Sequence, residues 1–299
     1  MRLRSWCLLA CLALTPVASG CGNGSAATPP VDQQASQPAI ALPNKNGTFK
    51  FAVLGDFGTG DRSQYELAKQ MKTVYDRFKY ELVILVGDNI YGSERPQDFT
   101  KKFEIPYKPL RDAGVKFYAS LGNHDSREQR MYKPFNMDGK LYYTFNPQRE
   151  VRFLALESTY PEPEQMAWVE KELQSSTSHW KIPFFHHPLY SSGERHGSDI
   201  RLRSTLEPMF LKNGVTVVFT GHDHTYERTK PQNGITYFVV GSGGKLRSGG
   251  LDRDTGLTAR GFDTDLVFVV AEIDGDTMNF QAISRRGAVI DSGVIERRK

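Results

Sequence analysis

Apolar residues occur in short continuous runs along this chain, and five of these runs end abruptly in polar side chains. In the clearest example, residues 82–86 are apolar at every position, and Asp88 follows one glycine later. A run of this length without alternation predicts a strand that is buried on both faces, as in a parallel sheet. The first polar residues after the five runs are Asp56, Asp88, Asn123, His186 and His222.

Helical patterns separate the first three predicted strands. A roughly amphipathic helix at 63–78, with Ser63 as its expected N-cap, follows strand 49–54. A second helix begins after Pro96 and ends near Gly114, before strand 115–121. The order β, α, β, α, β around the central strand predicts parallel pairing with right-handed crossovers.

The remainder of the chain divides into a mixed part and an all-β part. The pattern predicts, in order, a hairpin at 141–145 and 151–156, a helix at 163–173, a strand at 181–185, a helix at 200–211 and a strand at 215–219. Turn-separated runs then predict antiparallel strands at 235–240, 266–273, 277–283 and 288–295.

Residues 1–20 have the composition of a bacterial-type secretory signal. Arg2 and Arg4 precede an apolar stretch too short to span a bilayer, and small residues precede Cys21. This arrangement resembles a lipobox, which predicts lipidation of Cys21; the alternative is ordinary cleavage nearby, which leaves a free thiol. We therefore expect an exported protein of the cell envelope, attached to a membrane through a lipid anchor on Cys21 or otherwise periplasmic or secreted.

The segment 21–47 is rich in small and polar residues and cannot bury enough apolar surface to order itself. We interpret it as the lipidated cysteine with a flexible tether, and 48–299 as one domain. Because Cys7, Cys11 and Cys21 are the only cysteines, a chain that starts at Cys21 contains no internal disulfide. The formal net charge is only +4 and no basic run is present, so nucleic-acid binding is not expected. No protein partner is predicted.

Oxygen and imidazole donors dominate the polar positions after the five runs. Six of the seven histidines lie in these segments or within ten residues after one, and only His179, which precedes a predicted strand, lies apart. A single histidine after a strand is usually a half-buried residue without a ligand. Six histidines with two aspartates and an asparagine favour a site for hard or borderline metal ions, because the ends of parallel strands meet at one edge. We interpret them as a two-metal hydrolytic centre.

Five short motifs in this order resemble the blocks of the metallophosphoesterases. They are GDFG at 55–58, GDNIY at 87–91, GNHD at 122–125, HHP at 186–188 and GHDH at 221–224. Tyr91, three residues after Asp88, narrows the resemblance to the purple acid phosphatases, particularly their small tartrate-resistant form. The resemblance runs from about residue 49 to the end of the chain. It implies an α/β protein with a four-layer α/β/β/α sandwich, and a phosphoric ester hydrolase.

The resemblance also implies which residues bind each metal. Asp88 matches the family's bridging aspartate. His186 is chosen over His187 because the family places its ligand two residues before the proline, as His186 stands before Pro188; His187 is then a pocket residue. The implied ligands of the first metal are Asp56, Tyr91 and His224, and those of the second are Asn123, His186 and His222.

Two further histidines are candidates for the catalytic step. His124 corresponds to a residue that contacts substrate phosphate or solvent in the family. The R-H-G context of His196 resembles the active-site histidine of the small mammalian-type enzymes. A protonated imidazole there could stabilise the phosphoryl oxygens or protonate the leaving group. The alternative is that His196 is an exposed loop histidine.

We therefore expect an acid phosphatase that acts on small phosphomonoesters. Two close metal ions lower the pKa of a bound water and neutralise the phosphoryl oxygens. Tyr91 with two aspartates favours a trivalent ion, and the family implies Fe(III) in the first site with Fe(II), Zn(II) or Mn(II) in the second. If Tyr91 is only a rim aromatic, two divalent ions are the alternative. Phosphodiesterase or nucleotidase activity remains open, as does a non-catalytic cell-surface binding lipoprotein.

Two loops have less specific patterns. The loop 126–140 carries Arg127, Arg130 and Lys133 near the predicted metal ligands, so it either shapes a substrate entrance or is a solvated basic loop. The GSGG sequence at 241–244 is similar to a phosphate-binding loop, but the usual Lys-Ser/Thr pair and helix do not follow it. We interpret it as a turn.

Overall fold

The computed structural model describes residues 41–298. The predicted signal at 1–20, Cys21 and most of the predicted tether lie outside the described residues. The elements up to the middle of the chain are β1 (Phe49–Leu54), α1 (Arg62–Phe78), β2 (Leu82–Val86), α2 (Pro96–Phe99), α3 (Lys108–Asp112), β3 (Lys116–Ser120), β4 (Tyr143–Gln148), β5 (Val151–Ala155), α4 (Pro163–Ser175) and β6 (Trp180–Phe184). They continue with α5 (Ile200–Lys212), β7 (Val217–Thr220), β8 (Tyr226–Thr229), β9 (Thr236–Val240), β10 (Thr258–Phe262), β11 (Val267–Asp274), β12 (Thr277–Ser284) and β13 (Val289–Glu296).

The first sheet has six strands in the order β13-β12-β11-β1-β2-β3. β1, β2 and β3 are parallel, with Val53 opposite Ile84 and Ile84 opposite Tyr118, which confirms the predicted parallel pairing. β2 is buried at every position, as its uninterrupted apolar sequence predicts. β11 joins the other side of β1 in the antiparallel direction, so the last three strands extend the sheet that the first three begin.

The second sheet has seven strands in the order β10-β8-β9-β7-β6-β5-β4. The prediction of antiparallel pairing from 235 onward is wrong for β9, which pairs in parallel with β7 and antiparallel with β8. β8 and β10 were not predicted at all. β8 is short and reads YERT, and β10 is an edge strand whose side chains are largely exposed. Neither strand therefore has the apolar run by which the others were recognised.

The two sheets pack face to face through aromatic side chains. The Phe51 ring lies 5.2 Å from that of Phe153 and 5.9 Å from that of Phe219, which joins β1 to β5 and β7. The helix α1 contributes Leu67, Met71, Val74 and Phe78 to the core that includes the first sheet. The helices α4 and α5 form a separate core with the second sheet, including Val169, Leu173, Leu206, Val218 and Tyr237. These layers confirm the four-layer α/β/β/α sandwich.

Two details of the predicted helices are wrong. Asp61, not Ser63, is at the N-cap of α1, and its side chain makes no capping hydrogen bond. The single helix expected between Pro96 and Gly114 is divided into α2, a π-helical segment Thr100–Glu104 and α3. Pro109 lies in the first turn of α3. Because proline lacks an amide hydrogen, it cannot continue a helix that arrives from the preceding residues.

The segment immediately before β1 is held by a buried carboxylate. Glu272 accepts hydrogen bonds from the amides of Asn44 and Lys45 at 2.6 and 2.7 Å and from the Thr48 hydroxyl at 2.6 Å. Residues 41–47, which belong to the predicted tether, therefore already contact β11. Among residues 41–298, no helix is both long enough and apolar enough to cross a bilayer.

Candidate metal centre

The predicted metal ligands follow strands of both sheets. Asp56, Asp88 and Asn123 follow β1, β2 and β3 of the first sheet, and Tyr91 lies in the same turn as Asp88. His186 follows β6, and His222 and His224 follow β7 of the second sheet. The first sheet thus supplies the oxygen donors and the second sheet supplies the imidazoles. The centre exists only where the two sheets are packed together.

One group of side chains surrounds the Tyr91 phenol. Its oxygen lies 3.2 Å from Asp56 Oδ1 and 3.1 Å from His224 Nε2. His224 Nε2 lies 3.6 Å from Asp56 Oδ1. The structure therefore brings together the three residues that the motifs assign to the first metal.

A second group converges on one nitrogen of His186. His186 Nε2 lies 3.1 Å from Asn123 Oδ1, 3.1 Å from His222 Nδ1 and 3.4 Å from Asp88 Oδ1. Its Nδ1 is 3.0 Å from the Val86 carbonyl, which orients the ring. One proton on Nε2 cannot serve three acceptors at once, whereas a cation bound among these side chains would be held by all of them. This donor set fits a metal ion.

Asp88 lies between the two groups. The ligand atoms of Asp56, Asp88 and His186 are all within 4.8 Å of one another, and the three residues are buried. Asp56, Asp88 and His222 have positive φ angles of 54°, 51° and 72°. Left-handed backbone is unfavourable for residues with a Cβ, and such strain is typical of functional sites. The geometry therefore places the Asp88 carboxylate next to both groups.

The electrostatics of the cluster favour bound cations. Burial and then the neighbouring Asp88 raise the pKa of Asp56 well above its ordinary value, and burial also raises the pKa of Asp88. Burial lowers the pKa of His186 and of His222, and lowers that of His224 to about 4. The imidazoles are thus harder to protonate than free histidine, while the carboxylates lack compensating charge. Positive charge at this position would satisfy both.

Glycines allow the loops to approach the carboxylates closely. A Cβ at Gly122 would lie 2.2 Å from Asp88 Oδ1, and one at Gly221 would lie 2.4 Å from Asp56 Oδ2. Both distances are shorter than a carbon side chain tolerates. The glycines of the GNHD and GHDH motifs are therefore required by packing against the ligands.

Asp125 was not predicted as a site residue, although it belongs to the GNHD motif. Its carboxylate accepts hydrogen bonds from the amides of Asn89, Ile90 and Gly122 and from the side-chain amides of Asn89 and Gln129. Burial, then Asp88, raise its pKa to about 7. Asp125 thereby connects the loop after β2 to the loop after β3. An aspartate close to a predicted ligand was the only signal in the sequence.

The remaining histidines occupy different positions around the centre. His187 Nδ1 lies 3.0 Å from the Ser158 hydroxyl, and the ring packs against those of His186 and His222 at 5.1 and 4.3 Å. The His196 ring is exposed and lies 4.1 Å from that of His222. Burial lowers the pKa of His196, while the neighbouring Asp223 carboxylate opposes this shift. The His124 ring lies 5.0 Å from that of Tyr91, and its amide donates to Asp88 Oδ1 at 2.9 Å.

Residues 49–226 match the sequence family of calcineurin-like phosphoesterases. The chain belongs to this family. The match spans more than half of the chain and includes all the predicted metal ligands. It confirms the metallophosphoesterase resemblance of the five motifs, and a two-metal centre is expected for this family.

The relatives are purple acid phosphatases. Probable purple acid phosphatase 20 of Arabidopsis thaliana is 30% identical over 240 residues, which are 70% of this chain and 54% of that protein. Tartrate-resistant acid phosphatase type 5 of Oryctolagus cuniculus is 25% identical over 256 residues, which are 69% of this chain and 77% of that protein. The chain thus spans about half the length of the plant relative and more of the rabbit relative.

A solved structure shows the same fold. Purple acid phosphatase PPD1 from yellow lupin (Lupinus luteus) seeds superposes with a TM-score of 0.72 at 21% identity, covering 86% of this chain and 55% of the lupin chain. At this identity the likeness establishes the architecture, not the substrate.

Proposed function

We propose that this chain is a dinuclear-metal phosphatase that hydrolyses phosphate monoesters. The observation that carries the proposal is the position of Asp88, buried between the Tyr91 group and the His186 group. A shared carboxylate is what holds two cations close enough to act on one phosphoryl group. When bound, such a pair of metal ions supplies an activated nucleophile and neutralises charge on the phosphoryl oxygens.

The chain's own residues would orient the ester and manage the leaving group. His196 is exposed beside His222, so its ring can reach a substrate oxygen without moving a metal ligand. Protonated, it would donate to the departing oxygen as the phosphorus–oxygen bond breaks. His124 is exposed on the side of Tyr91 and could hydrogen bond to a phosphoryl oxygen. A cavity of about 480 Å³ lined by His187, His196, Arg201 and His222 gives room for the alcohol part of the ester.

The first metal of the proposed centre is Fe(III), with Fe(II), Zn(II) or Mn(II) in the second position. Burial, followed by the Asp56 and Asp88 carboxylates, raises the pKa of the Tyr91 phenol. The protein's own groups therefore keep this phenol protonated, and only a strongly polarising cation could bind it as a phenolate. The three anionic oxygens of Asp56, Asp88 and Tyr91 favour a hard trivalent ion over zinc.

The test of the proposed activity compares a monoester and a diester that both release phenol. The purified protein, loaded with iron and zinc, is assayed with phenyl phosphate and with diphenyl phosphate. We expect the monoester to be the better substrate and Asp88→Asn to reduce its turnover by several orders of magnitude with loss of at least one metal. The exposed Asp138→Asn is the matched control and should leave the rate unchanged.

Three results would contradict the proposal in different ways. Faster turnover of the diester would favour a phosphodiesterase with the same metal centre. Full activity of the Asp88→Asn variant would place the reaction elsewhere. Zero turnover across a broad panel of phosphate esters, with both metals present, would favour a cell-surface binding lipoprotein.

We also propose that the protein is exported and anchored through a lipid on Cys21, with no nucleic-acid or protein partner. The proposal rests on the sequence before Cys21, because these residues lie outside the described structure. Cys21→Ala should move the protein from the membrane fraction to the soluble fraction of cells that express the full chain. Unchanged fractionation would refute the anchor.

A further inference from the structure

A second cavity adjoins the one beside the metal centre. The first, here called the near cavity, has a volume of about 480 Å³ and is lined by His187, His222 and the segment 195–201. The second, here called the far cavity, has a volume of about 500 Å³ and is lined by the loop after β5, the start of α4 and the start of α5. Asp199 and Arg201 line both cavities. The two cavities therefore meet at these two side chains.

The Ser158 hydroxyl links the far cavity to the metal centre. Ser158 lines the far cavity, and its oxygen accepts hydrogen bonds from the amides of His186 and His187 at 3.2 and 3.0 Å. The same oxygen lies 3.0 Å from His187 Nδ1. Because His187 lines the near cavity, this contact joins the walls of the two cavities. The position of the far cavity is thus fixed relative to the predicted ligand His186.

The junction between the cavities is polar. Asp199 is the N-cap of α5, and its Oδ1 accepts the Leu202 amide at 2.8 Å, so Oδ2 can accept from a ligand. The Asp199 amide donates to the Pro188 carbonyl at 2.8 Å, which holds this residue in place. Arg201 is exposed and offers the donors of its guanidinium. A carboxylate and a guanidinium at one junction suit the hydroxyl groups of a sugar, because each hydroxyl both donates and accepts.

Beyond the junction, the far cavity combines apolar side chains with hydroxyl groups. Its apolar lining residues are Pro161, Pro163, Met166 and Leu202. Thr159 also lines it, and the side-chain oxygen of Thr159 is buried without a hydrogen-bond partner among residues 41–298. Apolar walls with a few polar groups that fix orientation are typical of small-molecule sites. Because a buried hydroxyl without a partner is unfavourable, a polar atom of a ligand would satisfy Thr159.

The charge of the far cavity beyond the junction is neutralised. Among the described residues that line this part, Glu162 alone carries a charge, and its Oε1 accepts from Arg127 Nη2 at 3.2 Å. The ion pair attaches the loop 126–140 to the far cavity, which supports the alternative that this loop shapes a substrate entrance. With Glu162 paired, the far cavity suits a neutral group better than a charged one.

We propose that the far cavity binds the base of a nucleoside monophosphate whose phosphoryl group lies at the metal centre. This inference rests on the proposed function and names one class of monoester. Along such a substrate the order is phosphate, a sugar with hydroxyl groups, and a neutral planar base with polar edges. Along the structure the order is metal ligands, the junction of Asp199 and Arg201, and the neutral far cavity with the Thr159 hydroxyl. The two orders match.

The first experiment compares esters on the metal-loaded wild type. AMP and ribose 5-phosphate share the phosphoryl group and the sugar and differ in the base. We expect kcat/KM for AMP to exceed that for ribose 5-phosphate on the order of tenfold, because the base buries apolar surface in the far cavity. The 2′,3′-dideoxy form of AMP should be about three- to tenfold poorer than AMP, because it lacks the hydroxyls for the junction. Equal kcat/KM for AMP and ribose 5-phosphate would overturn the proposal.

Thr205→Trp should fill the far cavity and leave the near cavity open. Thr205 is exposed on α5 and lines the far cavity but not the near cavity. We expect kcat/KM for AMP to fall by about tenfold or more, and those for ribose 5-phosphate and phenyl phosphate to change by less than about threefold. An equal loss for all three esters would overturn the proposal.

Ser204→Trp is the matched control for this variant. Ser204 is exposed on the same helix and lines neither cavity. Its hydroxyl donates to the Arg201 carbonyl at 2.7 Å, and that of Thr205 donates to the same carbonyl at 3.3 Å. Both variants therefore lose the same kind of hydrogen bond and gain the same ring. Ser204→Trp should leave the rates with all three esters unchanged.

Thr159→Val removes the buried hydroxyl and keeps the branched shape of the side chain. Because this hydroxyl has no partner among the described residues, the free energy of unfolding should not fall. The kcat/KM for AMP should nevertheless fall about three- to tenfold, while that for ribose 5-phosphate stays unchanged. Lower stability with equal losses for both esters would mean that Thr159 has a structural role and would remove it from the subsite.

A binding measurement separates this inference from the proposed activity. Calorimetry gives the Kd of the AMP phosphonate in which a methylene group replaces the ester oxygen, and the Kd of methylphosphonate. Thr205→Trp should bind the AMP phosphonate about tenfold more weakly and methylphosphonate equally well. If wild type hydrolyses none of the esters, the proposed function fails, but the two Kd values still decide whether the far cavity binds the base. Equal affinity of wild type and Thr205→Trp for the AMP phosphonate would overturn the subsite.

Discussion

Asp125→Asn tests whether the metal centre depends on a residue that binds no metal. The carboxylate joins the turn after β2, through Asn89 and Ile90, to the turn after β3, through Gly122. The turn after β2 carries Asp88, which lies between the Tyr91 group and the His186 group. The turn after β3 carries Asn123, which belongs to the His186 group. Asparagine has the same shape, so the substitution removes acceptor capacity without creating a cavity.

The cost can be worked out oxygen by oxygen. Oδ1 accepts from the Ile90 amide at 3.0 Å and from Gln129 Nε2 at 2.7 Å, whereas Oδ2 accepts from the Gly122 amide at 2.9 Å and from Asn89 Nδ2 at 3.1 Å. The Asn89 backbone amide donates to both oxygens, at 2.8 and 3.0 Å, and therefore keeps a partner whichever oxygen is replaced. The amide nitrogen of asparagine must replace one of these oxygens and then faces two donors. An unsatisfied buried donor costs roughly 1–3 kcal/mol. Relief of the buried charge offsets part of this, so we expect a net loss of about 2–4 kcal/mol in the free energy of unfolding.

Denaturant unfolding and metal analysis measure the two consequences separately. The unfolding free energy should fall by the amount above, and the affinity for the second metal should fall by about 10- to 100-fold, as expected when a group that orients ligands is lost. Asp138→Asn is the control, because Asp138 is exposed and has a φ of 51°, a conformation that asparagine tolerates. An Asp125→Asn protein with wild-type stability and metal content would refute the reasoning.

Three shorter predictions concern the same centre. Gly221→Ala should displace Asp56, because the new Cβ would lie 2.4 Å from Asp56 Oδ2. We expect a loss of about 1–3 kcal/mol in the free energy of unfolding and less metal bound per chain. Gly249→Ala is the control and should keep its metal, because a Cβ there meets nothing within 4 Å. Tyr91→Phe should abolish the visible absorption band of the iron-loaded protein while the far-ultraviolet circular dichroism stays unchanged, and a colourless, fully active wild type without iron would contradict this. Chelation should lower the unfolding temperature by a larger amount at pH 7.5 than at pH 4.5, as measured by scanning calorimetry.

The elements and ligands that could be predicted are those with a local signal. β1, β2 and β3 were recognised because each is an uninterrupted apolar run, and the motif that follows each run identifies its ligands. The edge strand β10 was missed, since its exposed side chains carry no such pattern. Its place in the sheet is decided by hydrogen bonds to β8, a strand that is distant from β10 in the sequence.

The positions of Asp125 and Lys245 relative to the centre could not be derived from the sequence for a different reason. Each depends on which strand exits are neighbours in space. Asp125 acts through groups of another turn, 35 and 36 residues earlier. Lys245 Nζ lies 4.9 Å from the centre of the Tyr91 ring because the loop after β9 is hydrogen bonded to the exit of β1. A linear pattern shows the charge of such residues but not the group that it faces.

The expected pH dependence of metal removal follows from the two buried aspartates of the centre. Without bound cations, burial raises the pKa values of Asp56 and Asp88 above their ordinary value, and repulsion by Asp88 adds to the shift of Asp56. The folded chain therefore holds more protons than the unfolded chain between the ordinary and the raised pKa values. Under this condition the stability of the metal-free chain falls as the pH rises through that interval, because ionisation is easier in the unfolded state. Bound cations remove the repulsion and prefer the ionised carboxylates, so their stabilising effect grows over the same interval. A chelator-induced loss of stability that is equal at both pH values would mean that the two carboxylates do not carry this charge.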